Sequence, residues 1–338
     1  MIRAVPPIHS AEDLRDLPVA VTGGAGFIGS HLVDALLARG ARVRVLDDLS
    51  TGRRENLAGA GDRVELIEGD IRDAAACRQA FAGAAVVFHQ AALGSVPRSL
   101  ADPASTLAVN VAGTAQVLAT AHQAGVRRVV YASSSSVYGD SPVRPAREGA
   151  EGSPLSPYAL SKATGEQVAA LFSRCYGQES IGLRYFNVYG PRQNPAGPYA
   201  AVVPRFFAAC LAGEAPVIYG DGEQTREFTY VGDAVNANLL AAAAPSSACG
   251  RAYNVAGGSP ASVLQLAERI RELAGAGREP RHEPPRAGEP RHSKADLSAA
   301  QAAFGYRAET PLAHGLQSCL AYYRAAGSPY TAMADRET

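Results

Sequence analysis

Val19-Ala20-Val21-Thr22 runs directly into Gly23-Gly24-Ala25-Gly26-Phe27-Ile28-Gly29 and then into Ser30-His31-Leu32-Val33-Asp34-Ala35-Leu36-Leu37. An apolar β-rich run, a glycine turn and an amphipathic helical pattern thus follow one another without a break. Gly24, Gly26 and Gly29 satisfy the spacing G-x-G-x-x-G in the context that gives it meaning, between a strand and a helix. Glycine there permits a tight turn, lets the backbone approach a pyrophosphate and lets helix pack on strand, while the helix N-terminus offers free N–H groups. Asp47 follows the next apolar run, Val43 to Leu46, and stands 18 residues past Gly29. A carboxylate at that place can bind both hydroxyls of a ribose and repels a 2′-phosphate, so the pattern predicts an NAD site rather than an NADP site.

Working outward, Val64 to Glu68, Val86 to His89, Val129 to Ala132 and Ile181 to Tyr185 read as further strands. Phe27 to Arg39, Ala75 to Phe81, Pro103 to Ala124 and Pro157 to Tyr176 read as the helices between them. Strict alternation of this kind predicts an α/β fold, a doubly wound parallel sheet, over residues 18–186. Beyond Asn187 the alternation breaks at Pro191, Pro195, Pro198 and Pro204, which punctuate a loop, and Gly220 to Gly222 mark a turn. A smaller mixed α/β substrate-binding domain is expected over 187–338, with helices at Ser262 to Ala274, Ser298 to Phe304 and Leu312 to Arg324. The chain is expected to return to the first domain near 228–256, and residues 1–17 to form an extension, helical over Ala11 to Leu17.

Composition narrows the function classes. The 338 residues are 47% hydrophobic and 19% charged, with 32 basic against 32 acidic side chains, which fits neither a disordered chain nor a polycationic nucleic-acid surface. The longest weakly polar stretch, Ala234 to Ala244, is interrupted by Asn236 and Asn238 and falls short of the ~20 residues of a membrane span. Met1 to Ser10 lacks the apolar core of a secretory signal, so a cytoplasmic protein with no membrane segment is expected. Cys77, Cys175, Cys210, Cys249 and Cys319 form no CxxC pair and read as reduced thiols. No His-carboxylate cluster has metal-ligand spacing, and His89 and His292 are given no role.

Tyr158 and Lys162 are four apart at the start of a predicted helix and so project from one face. Lys162 and Lys294 are the only lysines among 32 basic residues, so lysine here is a choice. With 14 tyrosines, chance would supply about 0.08 such pairs. A phenol serves as a base near neutrality when positive charge favours phenolate, and Lys162 together with an oxidised nicotinamide would supply that charge. Ser133 to Ser136 follow the strand Val129 to Ala132 and place hydroxyls at the carboxyl edge of the sheet, where open α/β folds bind ligands.

The stretches TGGAGFIGSH, HQAALGSVPRS, SSSSVYGD, SPYALSK, LRYFNVYGPRQ and GDGEQTREFTYV together resemble the extended short-chain dehydrogenases that act on nucleotide sugars, across nearly the whole chain. SVPRS at 95–99, NPAGPYAAVVP at 194–204 and GEPRHSKAD at 288–296 are most similar to the UDP-N-acetylglucosamine 4-epimerase branch of that family. The resemblance implies a Rossmann-like sheet, a resident NAD, a UDP-sugar substrate and a homodimer paired through the helices Pro103 to Ala124 and Pro157 to Tyr176. It implies Ser134, Tyr158 and Lys162 as the catalytic set. For the cofactor it implies Gly23, Gly26, Phe27, Ile28 and Gly29, then Asp47, with Asp70 and Ile71 at the adenine, Gln90, Ala91 and Ala92 at its middle, and Asn110 and Tyr185 at the nicotinamide half. For UDP it implies Asn187, Val202, Arg226 and Arg286, with Val217 or Tyr219 beside uracil and Glu289 on the ribose.

Ser293 matches the family's gate position, where a small residue leaves room for a 2-acetamido group, which permits UDP-GlcNAc and UDP-GalNAc without excluding UDP-Glc and UDP-Gal. Ser95, Arg98, Ser135, Ser136, Gln193 and Ala201 complete the expected sugar pocket. A dehydratase of the same family would carry an Asp-Glu pair where Ser135 and Ser136 stand. A UDP-glucuronate 4-epimerase would use a cation such as Arg98 for the carboxylate, and a non-enzymatic NAD sensor would have no need of Tyr158 and Lys162.

Overall fold

A computed structural model describes residues 14–196, 199–275, 278–285 and 291–325. Its centre is a seven-stranded parallel sheet in the order β11-β6-β5-β4-β1-β2-β3. The strands are β1 Pro18–Thr22, β2 Arg42–Asp47, β3 Val64–Glu68, β4 Val86–His89, β5 Arg128–Ser134, β6 Glu179–Tyr185 and β11 Arg251–Val255. The doubly wound sheet expected from the alternation is therefore present. Helices α1 Phe27–Ala38, α2 Ala74–Phe81, α5 Thr114–Gln123, α6 Pro157–Tyr176 and α8 Val231–Ala243 cover its faces. Parallel pairing requires these crossovers, and each face must be covered because both are apolar.

Side-chain alternation sorts the strands onto two cores. Val19, Val21, Val43, Val45, Phe88 and Val130 face α1 and α8, joined by Leu32, Leu36 and Leu239. Ala20, Leu46, Val87, Val129 and Tyr131 face the other way, against Phe81, Val117, Leu118 and Ala169 of α2, α5 and α6. A register of Val19 opposite both Val43 and Val86 keeps every in-facing residue in line across β2, β1 and β4. The third core belongs to the C-terminal part, where α7 Val202–Leu211, α9 Val263–Ala274 and α11 Leu312–Ala325 enclose Tyr189, Ile218 and Phe228. Short pairs, β7 Val188–Tyr189 with β10 Thr229–Tyr230, β9 Thr225–Glu227 with β12 Pro260–Ser262, and β8 Val217–Tyr219 with β13 Arg281–Glu283, form three two-stranded ladders apart from the main sheet.

Three expectations change. The loop assigned around Pro204 contains α7, whose first turn tolerates proline because its N–H groups have no intrahelical partner there. SVPRS holds a further helix, α3 Val96–Ala101, capped by the Ser95 hydroxyl. The single helix expected from Pro103 to Ala124 is α4 Pro103–Leu107, a π-helical turn over Ala108–Gly113, and α5. Of the expected helical extension, Leu14 to Asp16 form a turn and residues 1–13 lie outside the described set. Among the described residues no helix is long and apolar enough to cross a membrane.

One buried charge holds the base of the sheet. Arg128, fully buried, donates from Nε and Nη2 to Glu179 Oε2 at 3.0 and 2.7 Å. Its Nη1 reaches the carbonyls of Ala241, Ala242 and Ala244 at 3.0, 2.8 and 2.6 Å, satisfying the end of α8. Arg128→Met should destabilise the protein by about 1–3 kcal/mol in urea unfolding, because it leaves those buried carbonyls unpaired while Glu179 keeps Arg127 and Ser246; a loss within about 0.5 kcal/mol, the range of ordinary surface changes, would contradict this.

Candidate active site

The carboxyl ends of β1, β2, β4, β5 and β6 open on a cleft of 1320 Å³ whose other wall comes from the C-terminal part. A smaller hollow of 270 Å³ adjoins it, sharing Asn187, Gln193, Ala201 and Arg226. The cleft lies where the strand order reverses between β4 and β1, the place at which open α/β sheets bind ligands.

The glycine turn forms one end. A Cβ on Gly29 would fall 2.1 Å from the Gly23 carbonyl oxygen, and one on Gly23, at φ +69°, would fall 2.6 Å from the Ala91 backbone nitrogen. No larger residue fits either position. The first turn of α1 carries no side-chain cap, so its N–H groups open beside Gly26, Phe27 and Ile28 on the cleft wall. Asp47, nearly buried, accepts from the amides of Ala25 and Leu49 at 2.9 Å each, and burial raises its pKa. Each oxygen keeps a lone pair for a hydroxyl donor. Asp70, Ile71, Gln90, Ala91 and Ala92 continue the wall, and the Arg72 guanidinium pulls the Asp70 pKa down. An uncapped helix N-terminus, a glycine cradle and a carboxylate in this order fit a dinucleotide.

Gln90, Tyr185 and Asn238 close a triangle: Tyr185 donates to Gln90 Oε1 at 3.2 Å, Gln90 Nε2 to Asn238 Oδ1 at 2.9 Å, and Asn238 Nδ2 to the Tyr185 oxygen at 2.7 Å. Asn110 is buried beside the Leu93 loop. It does not line the cleft, because its amide is spent on both backbone groups of Leu93 and on Ser161 Oγ. Through Leu93, which lines the cleft, Asn110 holds the cleft wall. His89 bridges the Thr22 and Thr114 hydroxyls at 2.7 and 3.0 Å, and burial, aided by the Lys162 charge, pushes its pKa down to about 3.

Tyr158, Lys162 and Ser134 meet at the end of β5. Lys162 Nζ donates to the Ala132 carbonyl at 3.0 Å and lies 5.9 Å from the centre of the Tyr158 ring. Ser134 Oγ accepts from both the amide and the hydroxyl of Ser136, at 3.1 and 2.9 Å. Burial pushes the Lys162 ammonium down to about 8 against the pull of Glu166. The depression of the Tyr158 phenol expected from Lys162 is not found in the protein by itself: burial raises its pKa, and the Ser134 hydroxyl offsets part of the rise.

Ser95, Arg98, Ser135, Ser136, Gln193, Ala201 and Ser293 line the part of the cleft facing the C-terminal lobe. The Arg98 guanidinium stacks 5.6 Å over Tyr199, and the Ser293 amide donates to the Thr225 carbonyl at 3.1 Å, next to Arg226. Val202, Val217 and Tyr219 line the smaller hollow, where Arg205 lies 5.6 Å over the Tyr219 ring. Arg286 and Glu289 lie outside the described residues. Sequence reasoning missed Arg205, Tyr199 and Asn238; Arg205 was visible as the lone charged residue of an apolar run, and Asn238 as one of two asparagines in another. Among the described residues no group of three or more His, Cys, Asp or Glu is placed to hold a metal.

Comparison with known proteins agrees with this geometry. Residues 19–256 match the NAD dependent epimerase/dehydratase family. UDP-glucose 4-epimerase of Mycolicibacterium smegmatis is 42% identical over 308 residues, covering 90% of this chain and 97% of that protein. The crystal structure of Thermus thermophilus UDP-glucose 4-epimerase in complex with NAD superposes with a TM-score of 0.83 at 37% identity, over 92% of this chain and 100% of that one. UDP-N-acetylglucosamine 4-epimerase of Methanobrevibacter ruminantium, solved with UDP-N-acetylmuramic acid, gives a TM-score of 0.88 at 37% identity, over 92% and 99%. The chain belongs to the NAD-dependent epimerase/dehydratase family and is an enzyme of that family.

Proposed function

We propose that this enzyme inverts carbon 4 of a UDP-hexose through a 4-keto intermediate, with UDP-GlcNAc and UDP-GalNAc as its preferred pair. The observation that carries the reading is the meeting of Tyr158, Ser134 and Lys162 on the same cleft as the glycine turn. The turn and the α1 N-terminus hold the pyrophosphate of NAD, Asp47 its adenosine ribose, Asp70 and Ile71 the adenine, and Gln90 to Ala92, Tyr185 and Lys162 the remainder. Held there, NAD would supply the reversible hydride acceptor for sugar C4, with no net redox change over a cycle.

The protein's own part is proton handling and orientation. The Tyr158 oxygen takes the proton of the 4-hydroxyl and later gives it back, while Ser134 holds O4 in line. Because burial alone raises the phenol pKa, Tyr158 depends on the charges of Lys162 and the oxidised cofactor to reach phenolate. Asn187, Val202, Val217, Tyr219 and Arg226 hold the UDP group, to which the family resemblance adds Arg286 and Glu289. Arginine suits a diphosphate through its planar fork. Ser293, with Ser95, Arg98, Ser135, Ser136, Gln193 and Ala201 around the sugar, leaves volume for a 2-acetamido group.

Two copies pair through the outer faces of α4 to α6. Leu160 and Leu171, eleven residues and about three turns apart, are 47% and 46% exposed on one face of α6, which suits burial against a second copy. A second reading, UDP-glucuronate 4-epimerase, is favoured by Arg98, whose guanidinium stacks on Tyr199 and has no carboxylate partner among the described residues.

Purified protein given UDP-GlcNAc, UDP-Glc or UDP-glucuronate without added cofactor should invert C4 of UDP-GlcNAc fastest, as read by NMR. Tyr158→Phe should lower that rate by about 10²–10⁴. Turnover of UDP-glucuronate alone, abolished by Arg98→Met, would replace the first reading with the second. Ser293→Tyr should cut UDP-GlcNAc turnover about ten-fold or more while sparing UDP-Glc; an equal effect on both sugars would remove Ser293 as the gate.

A further inference from the structure

Tyr158, Lys162 and Glu166 are spaced by four and so form one stripe along α6, facing the end of β5. Lys162 is tied to the carbonyl of Ala132, and Glu166 Oε1 accepts from the hydroxyl of the next residue, Ser133, at 2.5 Å. Arg184, the cross-strand partner of Ser133 on β6, donates to the two Glu166 oxygens at 2.9 and 2.7 Å. The Glu166 and Arg184 side chains are 14% and 7% exposed. A carboxylate this deep, holding a catalytic strand on one side and a guanidinium on the other, is more than a surface ion pair.

We propose that Glu166 is the positioning residue of the proton-transfer set: it keeps Lys162 in its ammonium form at neutral pH and fixes Ser133, and with it Ser134, at the end of β5. The proposal rests on the roles given above to Tyr158, Ser134 and Lys162. Charge bookkeeping supports it. Of the titratable groups on elements packed around this part of α6, Tyr131, Tyr138 and Tyr185 are pushed up by burial and stay neutral. His89 is pushed down and is also neutral. The remaining charges are Arg98 on α3, Arg184, the carboxylates of Glu166 and Glu151, which both bind Arg184, and Glu148, which acts on Tyr138 and accepts from the Asn254 amide. Glu151 is 31% exposed and Glu166 only 14%, so Glu166, one helical turn from Lys162, is the deeper carboxylate and the one that favours its ammonium. Burial opposes the ammonium and Glu166 opposes burial, so removing Glu166 leaves Lys162 to lose its proton near neutrality.

The two-lysine composition makes this directly measurable. Protein isotope-labelled at the lysine ε-carbon shows Lys162 and Lys294 alone, and Lys294→Arg identifies the Lys162 signal. Glu166→Gln should lower the Lys162 titration midpoint by about 1 pH unit or more, whereas Ser133→Ala, which removes the hydroxyl but not the charge, should leave it in place. Where Glu166→Gln fails to fold because Arg184 has lost a carboxylate, Glu166→Asp draws the charge back by one methylene and should move the midpoint in the same direction by less. A Lys162 midpoint unmoved in the folded Glu166 variant, or moved equally by Ser133→Ala, overturns the proposal. The readout needs no turnover, so a protein that shows the shift yet inverts no sugar would fail the proposed function and keep the electrostatic role.

Discussion

Helix α6 is fastened to β5 residue by residue, and the rest of the cleft is arranged around that seam. Lys162 binds the carbonyl of Ala132, Glu166 the hydroxyl of Ser133, and Tyr158 stands beside Ser134. A helix slipped by one residue would turn this stripe off the strand by about 100°, leaving an ammonium and a carboxylate buried without partners. That penalty specifies one register, and the register places a phenol, a hydroxyl and an ammonium on the cleft that the glycine turn opens. Lysine and not arginine stands at 162, in a protein that otherwise uses arginine almost throughout. A compact ammonium can change its charge when buried, and a guanidinium cannot.

The same seam reaches the far wall through satisfied polar groups. Arg184 Nη1 donates to the Tyr138 oxygen at 3.0 Å, and Tyr138 donates to Asn254 Oδ1 at 2.6 Å. Asn254 Nδ2 then binds the carbonyls of Ala146 and Asp296 at 3.0 Å each. The Ala146 amide donates to the Lys294 carbonyl at 2.7 Å, and the Ser293 amide to that of Thr225 at 3.1 Å. Every member is paired, as buried polar groups must be, and the chain runs from the strand that carries Ser134 to the segment that carries Ser293. Two sides of the cleft, the end of β5 and the segment at Ser293, share one hydrogen-bonded frame.

Much of this was legible before any coordinates, and for local reasons. The strand, glycine turn and helix at 19–37 are contiguous, and Asp47 and the Tyr158–Lys162 pair sit at fixed offsets on regular elements, so spacing alone locates them. Helix α7 was hidden because Pro204 reads as a breaker unless one knows that it falls in a first turn. The partners of Asn110, Leu93 and Ser161, are set by tertiary packing and could not be read from its helix. Glu166 and Arg184 lie 18 residues apart on a helix and a strand, and no pattern within either element announces a buried pair. The phenol pKa likewise depends on how protein surrounds Tyr158, which spacing does not encode.

The central claim is that hydride leaves and returns at the same carbon while Tyr158 carries the proton. A UDP-hexose bearing deuterium at carbon 4, incubated with the enzyme in ordinary water, tests it most directly. The account predicts that the inverted product keeps its deuterium at carbon 4. Loss of the label to solvent, or its appearance at carbon 6 with loss of the 6-hydroxyl, would contradict the account and point to proton abstraction at carbon 4 or to dehydration instead.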